Sequence, residues 1–525
     1  MIPKTGFKFL AIAVIIIGIF FRFVNLDKKV YWFDETYTSL RTSGYTMSEV
    51  VGLCNGNATS IEDLQKYQHP APGKTLTDTI KSLAVEDPQH PPLYYLMTRF
   101  WVQNFGSSVA VIRSLSAVIS LLAFPCIYWL CVELFKSSLI GWVAVMLLAV
   151  SPFHVLYAQE AREYSLWIVT ILLSSATVLR SMRINTKLSW GMYTVTVALG
   201  LYTFLFSGFV TIAHGIYIIT YEKFRFSKKV IAYLGASLLG ALAFLPWVLV
   251  VITHSEQFKN TISWTDKKIS LFKLIMIWGI NLSHFFIDLG YELFHKNNNF
   301  VWKIIIGVSI LLSLILVGYS IYFLCRNTPK QIWLFVLTLI GVTALPLIIP
   351  DVILGGVRSQ SPRYLIPAYL GIQLAVAYCL ATKMSSISIR TWQLITVALI
   401  SSGVISCAIS SQAETWWLKY SGLYTPQVVN IINQTTRPLI ISSCDGIWSL
   451  ASELSLSYWL EPKVRFQFLK QSNPLQISPG FTDIFLYNSP TNPLSTTLQY
   501  KLEKQHYKIE KDIYPTELGL WKALN

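Results

Sequence analysis

The chain has 525 residues; 53% are hydrophobic, only 13% are charged, and the net charge is +15. Soluble proteins carry about 25% charged residues, so this composition excludes an ordinary soluble enzyme and indicates a polytopic α-helical membrane protein. The positive charge is accounted for by cytoplasmic loops, and no nucleic-acid motif accompanies it, so nucleic acid is not an expected partner.

Residues 7–24 form the first apolar segment, with Lys4 and Lys8 about its start and Arg22 at its outer end. Its length suffices to span a bilayer, and no small-residue cleavage site follows, so it reads as a retained helix rather than a signal peptide. Residues 25–92 form a polar loop too long to be a mere connection. Within it, 47–54 and 61–68 read as short helices lying on the membrane.

Further spans are predicted at 109–134, 138–156, 165–182, 189–205, 208–221, 230–252, 301–324, 331–350, 364–382 and 391–411, eleven in all. Every connection assigned to the inside is basic: Lys136; Arg180, Arg183 and Lys187; Lys223, Arg225, Lys228 and Lys229; Arg326 and Lys330; Lys383 and Arg390. Positive residues retain loops in the cytoplasm, so the N-terminus is expected inside and the 25–92 loop outside. This requires the apolar stretch 271–289 not to cross alone, which makes it interfacial or re-entrant.

From residue 412 charges return, and short β-rich runs (439–442, 464–469, 483–488) alternate with helical stretches near 447–460 and 494–506. The expected division is a transmembrane domain at 1–411, carrying the outer loop 25–92, and a small extracytoplasmic α/β domain at 412–525. Of seven cysteines, Cys126, Cys131, Cys325, Cys379 and Cys407 lie in or beside apolar runs and read as packing residues. Cys54 and Cys444 fall in outer segments, where pairing and remaining free are both open.

Three outer segments carry candidate chemistry. The first is Tyr31-Trp32-Phe33-Asp34-Glu35-Thr36-Tyr37, two adjacent carboxylates among aromatics directly after an apolar run. Carboxylates are costly beside hydrocarbon, so a pair there points to function. The second is the turn Tyr157-Ala158-Gln159-Glu160-Ala161-Arg162-Glu163-Tyr164, after a helix ended at Ser151-Pro152. It reads either as a solvated turn or as a packed polar cluster; Glu160 and Tyr164 share a face if the next helix starts early. The third is Arg358-Ser359-Gln360-Ser361-Pro362-Arg363-Tyr364, where arginine suits phosphate because its planar fork donates two hydrogen bonds together. An interfacial arginine that snorkels is the plainer alternative. His284, Asp288 and Glu292 recur every four residues, so a divalent metal ion is a candidate cofactor, although a helical histidine is more often simply packed.

These motifs resemble those of the GT-C glycosyltransferases of the protein O-mannosyltransferase and aminoarabinose-transferase group: FDET at 33–36, HPPLYYL at 90–96, SPFHVLYAQEAREYSL at 151–166 and SPRYLIPAY at 361–369. The resemblance implies a GT-C fold of about 11 to 13 transmembrane helices and an outer C-terminal domain. It implies inverting transfer of a sugar from a polyprenyl-phosphate donor to an acceptor hydroxyl at the outer face. Asp34 is then the general base and Glu35 its neighbour, orienting it or raising its pKa. His90, Arg162, Tyr164, Arg358 and Arg363 are expected on the donor phosphate, and Glu160 and Gln159 on the acceptor or a metal. The family's acid and lysine before Pro-Pro are replaced here by Gln89 and His90, which places a metal role in question. The acceptor is a protein, a lipid or a glycan, with membrane lipid as the other partner. The expected location is a bacterial inner membrane, although an endoplasmic reticulum satisfies the same topology. A transporter or lipid-linked sugar flippase is the competing class; such proteins place ionisable residues near the midplane and show repeated halves, neither of which is evident here.

Overall fold

The computed structural model describes residues 4–290, 300–385, 389–444, 447–470, 476–477, 479–488, 496–510 and 513–524. The chain divides into two compact units: Met1–Val24, Asp87–Tyr94 and Arg113–Ser411 form one, and Asn25–Glu86, Tyr95–Ile112 and Gln412–Asn525 form the other. The last boundary falls between Ser411 and Gln412. The long loop does not stay with the helical domain, however: residues 25–86 cluster with the C-terminal segment.

Six helices among the described residues are long and apolar enough to cross a membrane: Val109–Phe135, Tyr164–Ile184, Phe300–Asn327, Lys330–Ile353, Pro362–Lys383 and Ile389–Gly422. Two bent pairs raise the number to eight, Ser138–Val150 with Pro152–Ala158 at 61° and Lys228–Ala243 with Leu245–Thr253 at 55°. The other three expected spans lie on Lys4–Phe23, Lys187–Thr203 and Ser207–Tyr221. All eleven expected spans are thus helical, and length accounts for two of the three not counted: Lys187–Thr203 and Ser207–Tyr221 have 17 and 15 residues. The helix in the doubtful segment, Leu271–His284, has 14 residues. At 1.5 Å per residue it extends about 21 Å, short of a bilayer core of about 30 Å.

The first bent pair has a local chemical cause. Pro152 lacks the N–H that would bond the Leu148 carbonyl, so the helix ends there with orphaned acceptors. Arg22 supplies the missing donors, with Nη2 donating to the Leu148 carbonyl at 3.0 Å and Nη1 to those of Ala149 at 2.6 Å and Gly18 at 2.8 Å. Its Nε donates to Ser120 Oγ at 3.1 Å. Arg22 is therefore fully buried and structural rather than an interfacial residue at the helix end. A side chain at Gly18 would collide with the Ala149 backbone, which explains the glycine one turn before Arg22.

The second unit is built on a six-stranded sheet: β1 (Ala58–Ser60), β2 (Pro438–Ser443), β3 (Arg465–Leu469), β4 (Asp483–Tyr487), β5 (Lys508–Glu510) and β6 (Leu520–Leu524), in the order β1-β3-β2-β4-β6-β5. The central strands β3, β2 and β4 are parallel, while β1, β6 and β5 join antiparallel. Successive side chains on a strand point to opposite faces. Ile440, Phe466 and Phe485 accordingly join one core cluster, and Leu439, Ile441, Ile484 and Leu486 the other. The first cluster also holds Met47, Val50, Ile61 and Leu64. The short helices at Met47–Val50 and Ile61–Gln65 therefore bury their apolar faces in this core instead of lying on a membrane. Cys54 and Cys444 form a disulfide, which ties the loop to the residue after β2.

Glu453, on the helix Ile447–Ser457, is buried in this unit and accepts a hydrogen bond from Ser442 Oγ at 2.5 Å. Burial outweighs that bond and pushes its pKa up to about 8. A carboxyl raised above its unfolded value of about 4.5 contributes most stability below that pH and loses it as pH rises toward 8. The parent is therefore expected to lose stability from pH 5 to 8 by up to about 1.4 kcal/mol per pH unit from this group, and Glu453→Gln to remove that loss. Melting temperatures of the whole protein at pH 6 and 8 test this; parallel pH dependences for parent and variant would refute it.

Candidate active site

The helix Phe33–Ser43 begins with Asp34 and Glu35 in its first turn, where carboxylates are favoured by the unpaired N–H groups and the helix dipole. The two side chains diverge by about 100° around the helix axis. Glu35 turns inward, is fully buried, and pairs with Lys419 Nζ at 2.6 Å. Asp34 retains partial exposure between the buried Phe33 and Glu35. The charge of Glu35 is committed to an ion pair in the interior, so of its two expected roles the one that remains compatible is orienting Asp34. Trp32 stacks edge-on against Phe33 and Tyr420, and the Lys419 ammonium lies 5.9 Å from the Trp32 ring.

In the first unit the turn between Pro152–Ala158 and Tyr164–Ile184 is buried throughout, so the solvated-turn reading does not hold. Glu163, which sequence reasoning did not single out, is its electrostatic centre. His90 Nδ1 lies 3.0 Å from Glu163 Oε1, and Arg162 Nε lies 3.4 Å from Glu163 Oε2. Arg162 Nη2 also lies 3.1 Å from His90 Nε2. Arginine has only donors, so His90 Nε2 accepts from Arg162, which leaves Nδ1 as the ring nitrogen facing Glu163. Burial disfavours the Glu163 carboxylate, but Arg162 and His90 outweigh it and bring its pKa down to about 2. The sequence signal for Glu163 was present, since it follows Arg162 directly, but nothing in the sequence joined either residue to His90.

Tyr164 is flanked by two guanidiniums, those of Arg162 at 6.0 Å and Arg363 at 5.9 Å from its ring centre. Arg363 also lies 5.3 Å from the Tyr364 ring. His90, Arg162, Tyr164 and Arg363 therefore form one cationic and aromatic group on the first unit. The two residues before His90 are held by Trp247 Nε1 donating to the Pro88 carbonyl at 3.1 Å and Thr261 Oγ1 donating to Gln89 Oε1 at 3.0 Å.

Other expected site residues have structural partners. Arg358 pairs with Asp351 at 3.2 Å and with Asp266, apart from the cluster around Glu163. Gln159 donates from Nε2 to the Phe21 carbonyl at 2.8 Å and the Val24 carbonyl at 2.9 Å, closing the end of the first helix instead of facing an acceptor. Glu160 is buried, but the helix starts only at Tyr164, so the two do not share a helical face. His284 Nε2 lies 3.8 Å from Asp288 Oδ1, and Glu292 lies outside the described residues. Among the described residues no group of three or more His, Cys, Asp or Glu is placed to hold a metal ion. The described residues therefore offer no such centre, and no step below runs through a metal.

Residues 89–250 match the family model for dolichyl-phosphate-mannose-protein mannosyltransferases. In structure, the chain is similar to ArnT from Cupriavidus metallidurans in its apo state, with a TM-score of 0.51 and 11% identity over 99% of this chain and 98% of that one. The ArnT structure bound to undecaprenyl phosphate gives a TM-score of 0.50 and 12% identity over the same shares. The chain has the GT-C fold. It resembles the membrane glycosyltransferases of the mannosyltransferase and ArnT group, as its four sequence motifs imply. An oligosaccharyltransferase from Archaeoglobus fulgidus is a more distant GT-C likeness, at a TM-score of 0.47 and 12% identity over 91% of this chain and 65% of that one. No curated protein matches the chain in sequence. In this GT-C chain the matched region 89–250 contains the whole His90, Arg162 and Glu163 cluster.

Proposed function

We propose that this protein transfers a sugar, with inversion, from a polyprenyl-phosphate donor to an acceptor hydroxyl at the outer face of a bacterial inner membrane. In this reading the N-terminus is cytoplasmic and residues 412–525 are extracytoplasmic. The observation that carries it is the linked His90–Glu163–Arg162 cluster beside Arg363: cations fixed in a buried polar group suit a phosphate whose negative charge must be held as it leaves. The likeness to a protein crystallised with undecaprenyl phosphate supports the same donor class.

The acceptor oxygen attacks the anomeric carbon while the bond from that carbon to the phosphate oxygen breaks. The hydroxyl proton passes to the Asp34 carboxylate, and the electron pair leaves on polyprenyl phosphate. That leaving group is already a stable anion, so the reaction needs a base for the acceptor more than an acid for the donor. Arg162 and Arg363 hold the phosphate charge; Glu163 fixes Arg162 and the His90 tautomer; Tyr164 separates and orients the two guanidiniums. Glu35 keeps the helix that carries Asp34 in place.

Arg363→Ala tests the donor side. The apparent KM for the lipid donor is expected to rise about tenfold or more, equivalent to about 1.4 kcal/mol or more of lost phosphate binding, with the acceptor KM unchanged. An unchanged donor KM would remove Arg363 from the phosphate site.

A further inference from the structure

The segment after the last apolar helix looks from sequence like an appended domain. Its residues instead hold the FDET segment. The Val30 N–H donates to the Glu414 carbonyl at 2.7 Å, and Ser455 Oγ donates to the Tyr31 carbonyl at 2.6 Å. Thr36 Oγ1 lies 3.3 Å from the Ala451 carbonyl, and the Tyr31 ring packs 4.7 Å from that of Tyr458. A side chain at Gly422 would run into Val30, so the backbone there must stay close. The disulfide Cys54–Cys444 closes the same arrangement on the far side of the loop.

Lys419 stands at the centre. It interrupts the helical turn Trp417–Gly422 with φ −100° and ψ 43°, and its ammonium meets Glu35 at 2.6 Å with both side chains buried. A buried pair of this kind is costly to break on one side but often replaceable as a whole by neutral groups. It therefore does more to fix a geometry than to add net stability. What it fixes is the first turn of the helix Phe33–Ser43, one residue from Asp34.

We infer that Lys419 is a positioning residue for transfer: through Glu35 it sets where the Asp34 carboxylate sits, and residues 412–458 are part of the catalytic apparatus rather than an accessory domain. The inference rests on the assignment of Asp34 as base, and the experiment separates the two. Turnover, donor KM and melting temperature are measured for Lys419→Met, Glu35→Gln, the double variant, Glu35→Asp and Asp34→Asn.

Each single neutral substitution is expected to lower both melting temperature and turnover. The double variant is expected to recover melting temperature while turnover stays at least tenfold below the parent at unchanged donor KM. Recovery of turnover along with stability would reduce the pair to a structural role and overturn the proposal. Glu35→Asp keeps both charges but shortens the link by one methylene. It is expected to fold and to lose about tenfold in turnover, and parental turnover in it would overturn the proposal even if the double variant does not fold. Inactive Asp34→Asn beside fully active Lys419 and Glu35 variants would refute the positioning role alone. Fully active Asp34→Asn would refute the base and the positioning role together.

Discussion

Asp34→Asn is expected to lower turnover by about 10²- to 10⁴-fold, the contribution general-base catalysis ordinarily makes, while leaving melting temperature within a degree or two of the parent. The amide keeps the shape of the carboxylate and its place in the first helical turn but loses its basicity. Asp34 is partly exposed, whereas Glu35 beside it is fully buried against Lys419. The donor KM should be unchanged, because the proposed phosphate ligands lie elsewhere in the chain. A full parental rate in this variant would end the assignment. A collapse of the melting temperature would instead make Asp34 a structural residue like Glu35.

Glu163→Gln should have the largest effect on stability. Removing one partner of a buried pair costs about 3–5 kcal/mol because the remaining charge loses its counter-ion; here Arg162 loses the Glu163 carboxylate, and His90 loses the group that faces Nδ1. The pH dependence has a definite sign. Glu163 is depressed from about 4.5 to about 2, so its stabilisation is present above pH 4.5 and is lost as pH falls toward 2. The gap in melting temperature between parent and variant should therefore be full at pH 7 and narrow steadily below pH 4.5. The same substitution should raise the donor KM, since Arg162 and His90 lose their fixed orientation. Equal melting temperatures at pH 7 would show that the ion pairs do not form as described.

The sequence revealed the parts of this protein whose signals are local. Eleven apolar runs became helices, and Leu439–Ser442, Val464–Leu469 and Asp483–Asn488 became the parallel strands, because burial on both faces leaves a continuous apolar run. The three-residue strands β1 and β5 carried no such pattern, and their pairing depends on partners hundreds of residues away for β1. The functional residues divide in the same way. Asp34 and Arg363 stand out because charge beside apolar sequence is unusual. The distinction between Asp34 and Glu35 required knowing that Lys419 lies under one of them. Arg358 and Gln159 looked as suited to a site as Arg162, and their partners, Asp351 and Asp266 for one and the Phe21 and Val24 carbonyls for the other, carry no signal in the sequence. Arg22 is the opposite case: a charge in an apolar helix that suggests an interface, yet answers the two carbonyls exposed by Pro152 more than a hundred residues later.

The central claim is that a polyprenyl-phosphate sugar is the donor. The most direct test incubates the purified protein in detergent with a panel of labelled polyprenyl-phosphate sugars and a membrane extract as acceptor source, and follows release of free polyprenyl phosphate. Release from one member of the panel, with the sugar appearing in inverted linkage on an acceptor, is the predicted result. Absence of both release and donor binding across the whole panel would contradict the account and favour a transport function for this fold.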